Sequence, residues 1–190
     1  MKPNDIRAFI AIELDKDLRL KIKKIQEILK ESKADVKWVN SENIHLTLKF
    51  LGRVPTASLD DLCQTIKQVT AEFPSFEFEL NACGWFPAEG QPRILWIGVG
   101  LGKDLVEKIA ATLSSHVSRF CEEKNSEKFL AHITVGRVKS GKNISILLSA
   151  ISKLDLDFPK KQKVNHITFF QSRLTPSGPE YKKIYKFDLM

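Results

Sequence analysis

Three of the four histidines in this 190-residue chain are followed two positions later by threonine. They are His45-Leu46-Thr47-Leu48, His132-Ile133-Thr134-Val135 and His166-Ile167-Thr168-Phe169. Histidine has an ordinary pKa of about 6.5, so it can give or take a proton near neutral pH. Two imidazoles facing one substrate divide that labour, one neutral as base and the other charged as acid. Opening a strained phosphodiester is a reaction that such a pair can run without a metal. One imidazole takes a proton from water, and the other protonates the departing ribose oxygen. Threonine hydroxyls beside them can hydrogen-bond the non-bridging phosphate oxygens and hold the phosphorus in line.

The spacing matters because side chains at i and i+2 share one face of a strand. Ile44, Leu46, Leu48 and Phe50 then form an unbroken apolar face, with His45, Thr47 and Lys49 opposite. The second segment repeats this pattern. Phe129, Ala131, Ile133 and Val135 point inward, and His132 with Thr134 points out. Around His166 both faces are mixed, so that copy reads as structural or as the edge of a cleft. The fourth histidine, His116, falls on a helical stretch and reads as surface chemistry. A single His-x-Thr would mean only that polar residues occupy the wet side of a sheet. Two clean copies in similar strands point to one shared site.

The rest of the chain alternates strands with helices. Strands are predicted at 7–14, 36–39, 44–51, 76–80, 94–99, 129–138, 163–170 and 181–189 from alternation and apolar runs. The segments 36–39 and 44–51 flank Asn40, Ser41, Glu42 and Asn43, a hairpin signal. A loop holding Gly84, Pro87, Gly90 and Pro92 separates the fourth and fifth strands. Helical stripes run through Leu18, Ile22, Ile25 and Leu29, capped by Asp15, then through Leu59, Leu62, Ile66, Val69 and Phe73, through Leu105, Ile109, Leu113, Val117 and Phe120, and across 144–154. The pattern predicts one α+β unit with helices packed outside mixed or antiparallel sheets.

Composition narrows the class. Hydrophobic residues make up 43% and charged residues 28%, which excludes a mostly disordered chain. No apolar run approaches the ~20 residues of a membrane span. The start, Met1-Lys2-Pro3-Asn4-Asp5, lacks a long apolar stretch, and three widely spaced cysteines make no CxxC pair. A cytoplasmic protein without a membrane partner is therefore expected. The net charge of +7 favours anionic partners. Lysines gather at 21, 23 and 24, at 160, 161 and 163, and at 182, 183 and 186, as solvated faces or as a path for an RNA backbone. Gly98-Val99-Gly100-Leu101-Gly102 lacks the lysine of a Walker phosphate loop. With no HExxH motif and no nearby carboxylate pattern, zinc on His45, His132 and His166 is not expected, and neither metal nor cofactor is predicted.

The paired motifs, in a chain of this length and order, resemble the two-histidine (2H) phosphoesterases. Further stretches point to the branch called RNA 2′,3′-cyclic phosphodiesterase, also known as 2′-5′ RNA ligase. These are 7–12 (RAFIAI), 36–39 (VKWV), 43–52 (NIHLTLKFLG), 95–99 (LWIGV), 131–138 (AHITVGRV) and 178–181 (GPEY). The likeness spans nearly the whole chain, and order and spacing carry it more than any one motif. The family often has proline where Ala131 stands, a change that leaves strand alternation intact. The resemblance implies a single bilobal domain, residues 1–190, built from two intertwined pseudo-twofold lobes. Two mainly antiparallel sheets would face a central groove.

The same resemblance implies metal-independent conversion of RNA 2′,3′-cyclic phosphate ends to 2′-phosphates, with His45 as proton donor and His132 as acceptor. The residues alone leave those two roles interchangeable. Thr47, Thr134 and Arg137 are the expected phosphate-binding groups. Alternation would bury Arg137, and a bulge at Gly136 is what could re-aim it into the groove. Phe9 and Tyr181 are candidates to contact the nucleotide, Phe9 as a stacking ring or as packing. Phe50 is expected in the core. The expected partner is RNA with a cyclic phosphate end or a related nucleotide, bound by a monomer. Rival readings are a nucleotide- or RNA-binding module without turnover, and action on small cyclic nucleotides or 2′-5′ oligoadenylates.

Overall fold

The computed structural model describes residues 5–121, 129–154, 161–176 and 178–190. Residues 1–4 and Lys160 lie outside them. Alternating apolar residues build β1 (Asp5–Glu13), and Asp15 then caps α1 (Lys16–Lys30), its carboxylate accepting from the Leu18 N–H at 2.7 Å. The predicted stripe of Leu18, Ile22, Ile25 and Leu29 is buried. Then follow β2 (Val36–Trp38), β3 (His45–Pro55), α2 (Leu59–Thr70), β4 (Phe76–Phe78), β5 (Leu80–Phe86) and β6 (Ile94–Val99). The chain continues with α3 (Lys103–His116), β7 (His132–Val138), α4 (Ile144–Ser152), β8 (Gln162–Val164), β9 (His166–Thr175) and β10 (Gly178–Asp188). No helix among the described residues is long and apolar enough to cross a membrane.

The strands form two four-stranded sheets, ordered β10-β9-β1-β3 and β2-β7-β6-β5, and a two-stranded ribbon of β4 and β8. All pairings are antiparallel, giving the α+β class that the element pattern predicts. The expected hairpin of 36–39 with 44–51 does not form. β2 pairs with β7 in one sheet while β3 pairs with β1 in the other. A short 3-10 turn, Ser41–Asn43, carries the chain between sheets instead of doubling it back. The crossing is fastened by the buried Gln26 amide, which donates to the carbonyls of Val39 at 2.9 Å and Val135 at 2.8 Å.

β5 occupies part of the region expected to be loop. Gly84 reads as a chain breaker but sits inside this strand. A Cβ there would lie 2.3 Å from the Trp96 ring on β6, so glycine makes room for an indole.

Strict alternation also fails on β3, and for a definite reason. In the ladder with β1, Ala8 faces Gly52, Phe9 faces Phe50, Ile10 faces Lys49 and Ala11 faces Thr47. Leu51 and Leu48 are therefore extra residues, and each bulge reverses the in–out order. Leu51 takes the core position at 0% exposure, and Phe50, expected in the core, is 53% exposed. The inner bulge turns Lys49 away from His45, and its ammonium donates to Ser114 on α3 at 2.9 Å.

This register makes a stability prediction. Leu51→Ala should cost about 2–5 kcal/mol in chemical denaturation, whereas Phe50→Ala should cost less than about 1 kcal/mol. The reverse order would contradict the bulged ladder.

Candidate active site

Each histidine motif is held from behind by buried apolar side chains. Leu46 and Leu48 anchor β3, and Ala131, Ile133 and Val135 anchor the start of β7. Their intervening residues His45, Thr47, His132 and Thr134 are half-buried and share the opposite faces. The two imidazoles are fixed in the same way. His45 Nδ1 donates to the carbonyl of Asn43 at 2.7 Å, and His132 Nδ1 donates to the carbonyl of Leu130 at 2.7 Å. A carbonyl only accepts, so both neutral rings carry their proton on Nδ1 and keep Nε2 as a lone-pair acceptor. Among the described residues neither threonine hydroxyl has a hydrogen-bond partner.

The surroundings of the two rings differ. His45 stacks on Phe9, centroids 4.7 Å apart and planes 26° apart, and meets the edge of Tyr181 at 5.3 Å. Phe9 in turn stacks on Phe170 at 5.0 Å. Covered by these rings, Phe9 is 3% exposed, so it is a floor beneath the imidazole and not an open surface for a base. Of its two expected roles, stacking ring or packing, the burial fits packing. Tyr181 remains half-buried at the edge of the site. A recess of about 170 Å³ lies against His45, bordered by Arg19, Asn43, Phe170, Tyr181 and Lys183. Asn43 also donates from its side chain to the carbonyl of Pro179 at 2.8 Å, joining the turn before β3 to β10.

His132 meets Phe86 edge-on at 5.2 Å, and Phe86 leans on Trp96 at 5.3 Å. Sequence reasoning missed Phe86 because its strand reads as loop. The available signal was Trp96 sitting two residues before a glycine, in a strand that needs a small partner opposite it. Arg137 reaches this face by the bulge that its neighbours suggest. Leu95 faces Gly136 and Trp96 faces Thr134, leaving Val135 extra. Two consecutive core positions, Val135 and Gly136, return Arg137 to the face of His132, where it is exposed. A Cβ on Gly136 would lie 2.8 Å from Val36 Cγ1, so the close approach needs glycine.

Burial holds both histidines below their ordinary pKa, opposed in each by the carbonyl bond. His132 is lowered further by the Arg137 cation. The same guanidinium acts on Tyr181, whose phenol is raised by burial. Arg137 on one sheet is thus felt both by His132 and by the ring that touches His45 on the other sheet. β3 and β7 are also in contact along this seam.

His166 lies on the same face as Phe170 but turns to Glu13, Nε2 to Oε1 3.9 Å, while buried Thr168 donates to the same carboxylate at 2.8 Å. His116 is exposed at the end of α3, its Nδ1 2.8 Å from the Thr112 carbonyl. Among the described residues no group of three or more His, Cys, Asp or Glu side chains converges to hold a metal ion. The cysteines are free, and burial pushes the Cys83 thiol up to about 12, far from a working nucleophile.

Residues 12–96 match the LigT like phosphoesterase family. An RNA 2′,3′-cyclic phosphodiesterase of Thermotoga maritima is 34% identical over 95% of this chain and 94% of its own length. Another, of Methanothermobacter thermautotrophicus, is 32% identical over 97% and 99%. The solved structure of a Thermus thermophilus protein aligns with a TM-score of 0.79 at 25% identity, covering 97% of this chain and 98% of that one. Fold and kinship together define an α+β phosphoesterase. The chain belongs to the LigT-like phosphoesterase family, within the 2H superfamily.

The electrostatics can be tested by titration. Arg137→Ala removes the cation that disfavours the His132 imidazolium, so the His132 pKa should rise toward the ordinary value of about 6.5. His45, lowered by burial and not by Arg137, should keep its titration. NMR titration of both imidazoles checks this, and an unmoved His132 would contradict the placement of Arg137.

Proposed function

We propose that this phosphoesterase hydrolyses 2′,3′-cyclic phosphate ends of RNA to 2′-phosphates without a metal, with His45 as proton donor and His132 as proton acceptor. The observation that carries this reading is the repeated carbonyl bond to Nδ1, which leaves an available Nε2 on each of the two His-x-Thr motifs. The activity for which the full-length relatives are named supports the substrate class.

In the proposed reaction the cyclic phosphate sits between the imidazoles. His132 Nε2 takes a proton from water as the water oxygen bonds to phosphorus. His45 Nε2 gives its proton to the ribose 3′-oxygen as that P–O bond breaks, leaving the phosphate on the 2′-oxygen. His45 must be charged when this happens. The substrate's phosphate anion favours that charge, while burial and then the Arg137 cation disfavour charge on the other imidazole. Thr47, Thr134 and Arg137 bind the non-bridging oxygens in this scheme, and the edge of Tyr181 borders the nucleoside. With a 5′-hydroxyl in the place of water, the same proton transfers join a cyclic phosphate end to it as a 2′-5′ linkage.

Chelator-treated protein should keep its turnover of RNA ending in a 2′,3′-cyclic phosphate, and ³¹P spectra should identify a 2′-phosphate product. His45→Ala and His132→Ala should each lower kcat by about 10²–10⁴-fold. The double variant should fall little further, because the two rings act as one unit. Unchanged hydrolysis in either single variant, or loss of activity on chelation, would overturn the proposal.

A further inference from the structure

Beyond the recess at His45 lies a larger open cleft of about 450 Å³, bordered by Glu13, Asp15, Lys161, Lys163, His166 and Lys186. The two hollows share Glu13 and Leu14, and Glu13 stands directly opposite His45 in the β1–β3 ladder. We propose that this cleft is a subsite for the phosphodiester backbone of RNA, taking the linkages immediately upstream of the cyclic end. The proposal rests on the reading of the preceding subsection, because it needs the terminal ribose on the His45 side. The departing 3′-oxygen belongs to that ribose, and the upstream chain leaves from its 5′-carbon. The upstream strand then leaves the recess at His45, and the cleft that adjoins this recess at Glu13 and Leu14 carries the lysines.

The path is built along β10. Tyr181 and Lys183 border the recess, and Lys186 borders the cleft. Strict alternation would put Lys183 and Lys186 on opposite faces. A register shift at Ile184 pairs Lys183 with Phe170 and Lys186 with Thr168, both on the face that carries Phe9. The two ammonium groups then converge on one carboxylate. Lys183 pairs with Glu13 Oε2, and Lys186 lies 3.5 Å from Oε1. Burial alone would raise the Glu13 pKa, but bonds from Lys183 and Thr168, with the nearby positive charges, hold it below the usual value.

On the far side the cleft is pinned by a side chain, not left to a loose loop. Buried Gln162 accepts from the Asp15 N–H at 2.9 Å and donates to the Glu13 carbonyl at 2.7 Å. Lys161 and Lys163 flank it, both exposed. Lys161 makes only a long contact to Glu79, 3.9 Å, and Lys163 has no ion pair among the described residues. The carboxylates of the cleft are committed elsewhere, Glu13 to its lysines and Asp15 to the cap of α1. What remains for a ligand is the pair of exposed ammonium groups of Lys161 and Lys163, suited to backbone phosphates.

The test compares a six-nucleotide RNA with a cyclic mononucleotide, using wild type and the surface double variant Lys161→Ala/Lys163→Ala. Turnover is read from the cyclic ends, and binding from the matching 2′-phosphate products. Thermal melting checks that the variant folds. Wild type should favour the longer RNA by about tenfold or more in kcat/KM and in product affinity. The variant should lose most of that advantage, and with it much of the salt dependence. Its turnover of the mononucleotide should stay within about twofold of wild type. RNA with uncharged methylphosphonates at the upstream linkages should bind wild type no better than the variant binds native RNA. Length-independent turnover and binding, or equal losses on both substrates, would overturn the subsite and leave the hydrolase reading standing. Length-dependent binding that the variant loses, with no turnover of any substrate, would keep the subsite and overturn the hydrolase reading.

Discussion

A hydrogen bond from an imidazole N–H to the carbonyl two residues earlier is made twice in this molecule, once from His45 and once from His132. Because a carbonyl has no proton to offer, each bond selects one tautomer and aims the opposite nitrogen away from its own backbone. The bond also limits ring rotation, so Nε2 keeps a set direction before any ligand arrives. Burial disfavours the charged imidazole in both places, and the carbonyl bond opposes that effect. Much of the surrounding structure serves this arrangement. Core leucines and isoleucines hold the two strands from behind, Gln26 fastens the crossing between the sheets, and the Asn43 side chain ties the turn before His45 to β10.

The support around the rings makes the pair unequal. His45 rests on an aromatic stack of Phe9 and Phe170 with Tyr181 at its edge, and burial opposes its charge. His132 has the edge of Phe86 on one side and the field of Arg137 as well. A cation close to one of two histidines disfavours the charged form of that one. This supports the neutral, accepting role that the proposed reaction gives to His132, a choice that residue types alone leave open.

Much of this arrangement was legible in the sequence because it is local. The His-x-Thr spacing, the apolar face behind each motif, the Asp15 cap and the α1 stripe depend on neighbours a few positions apart. The bulge that returns Arg137 to the open face was foreshadowed by Gly136 beside a charged residue. What was hidden depends on partners distant in the chain. The Asn40–Asn43 turn looks like a hairpin until the bonds from Val39 and Gln26 to Val135 carry β2 into the other sheet. Phe50 looks like core until the two extra leucines of β3 reverse its side. Phe9 looks open until three other rings cover it, and Gly84 looks like a breaker until Trp96 fills the space above it.

In the proposed reaction His45 and His132 address one phosphate from opposite sides. The direct measurement is titration of the ¹⁵N-histidine-labelled protein with a nucleoside 2′-phosphate. The Nε2 resonances of His45 and His132 should move together and saturate at a common Kd, while His116 stays in place. A phosphate that moves one of the two rings and leaves the other unchanged would contradict the account.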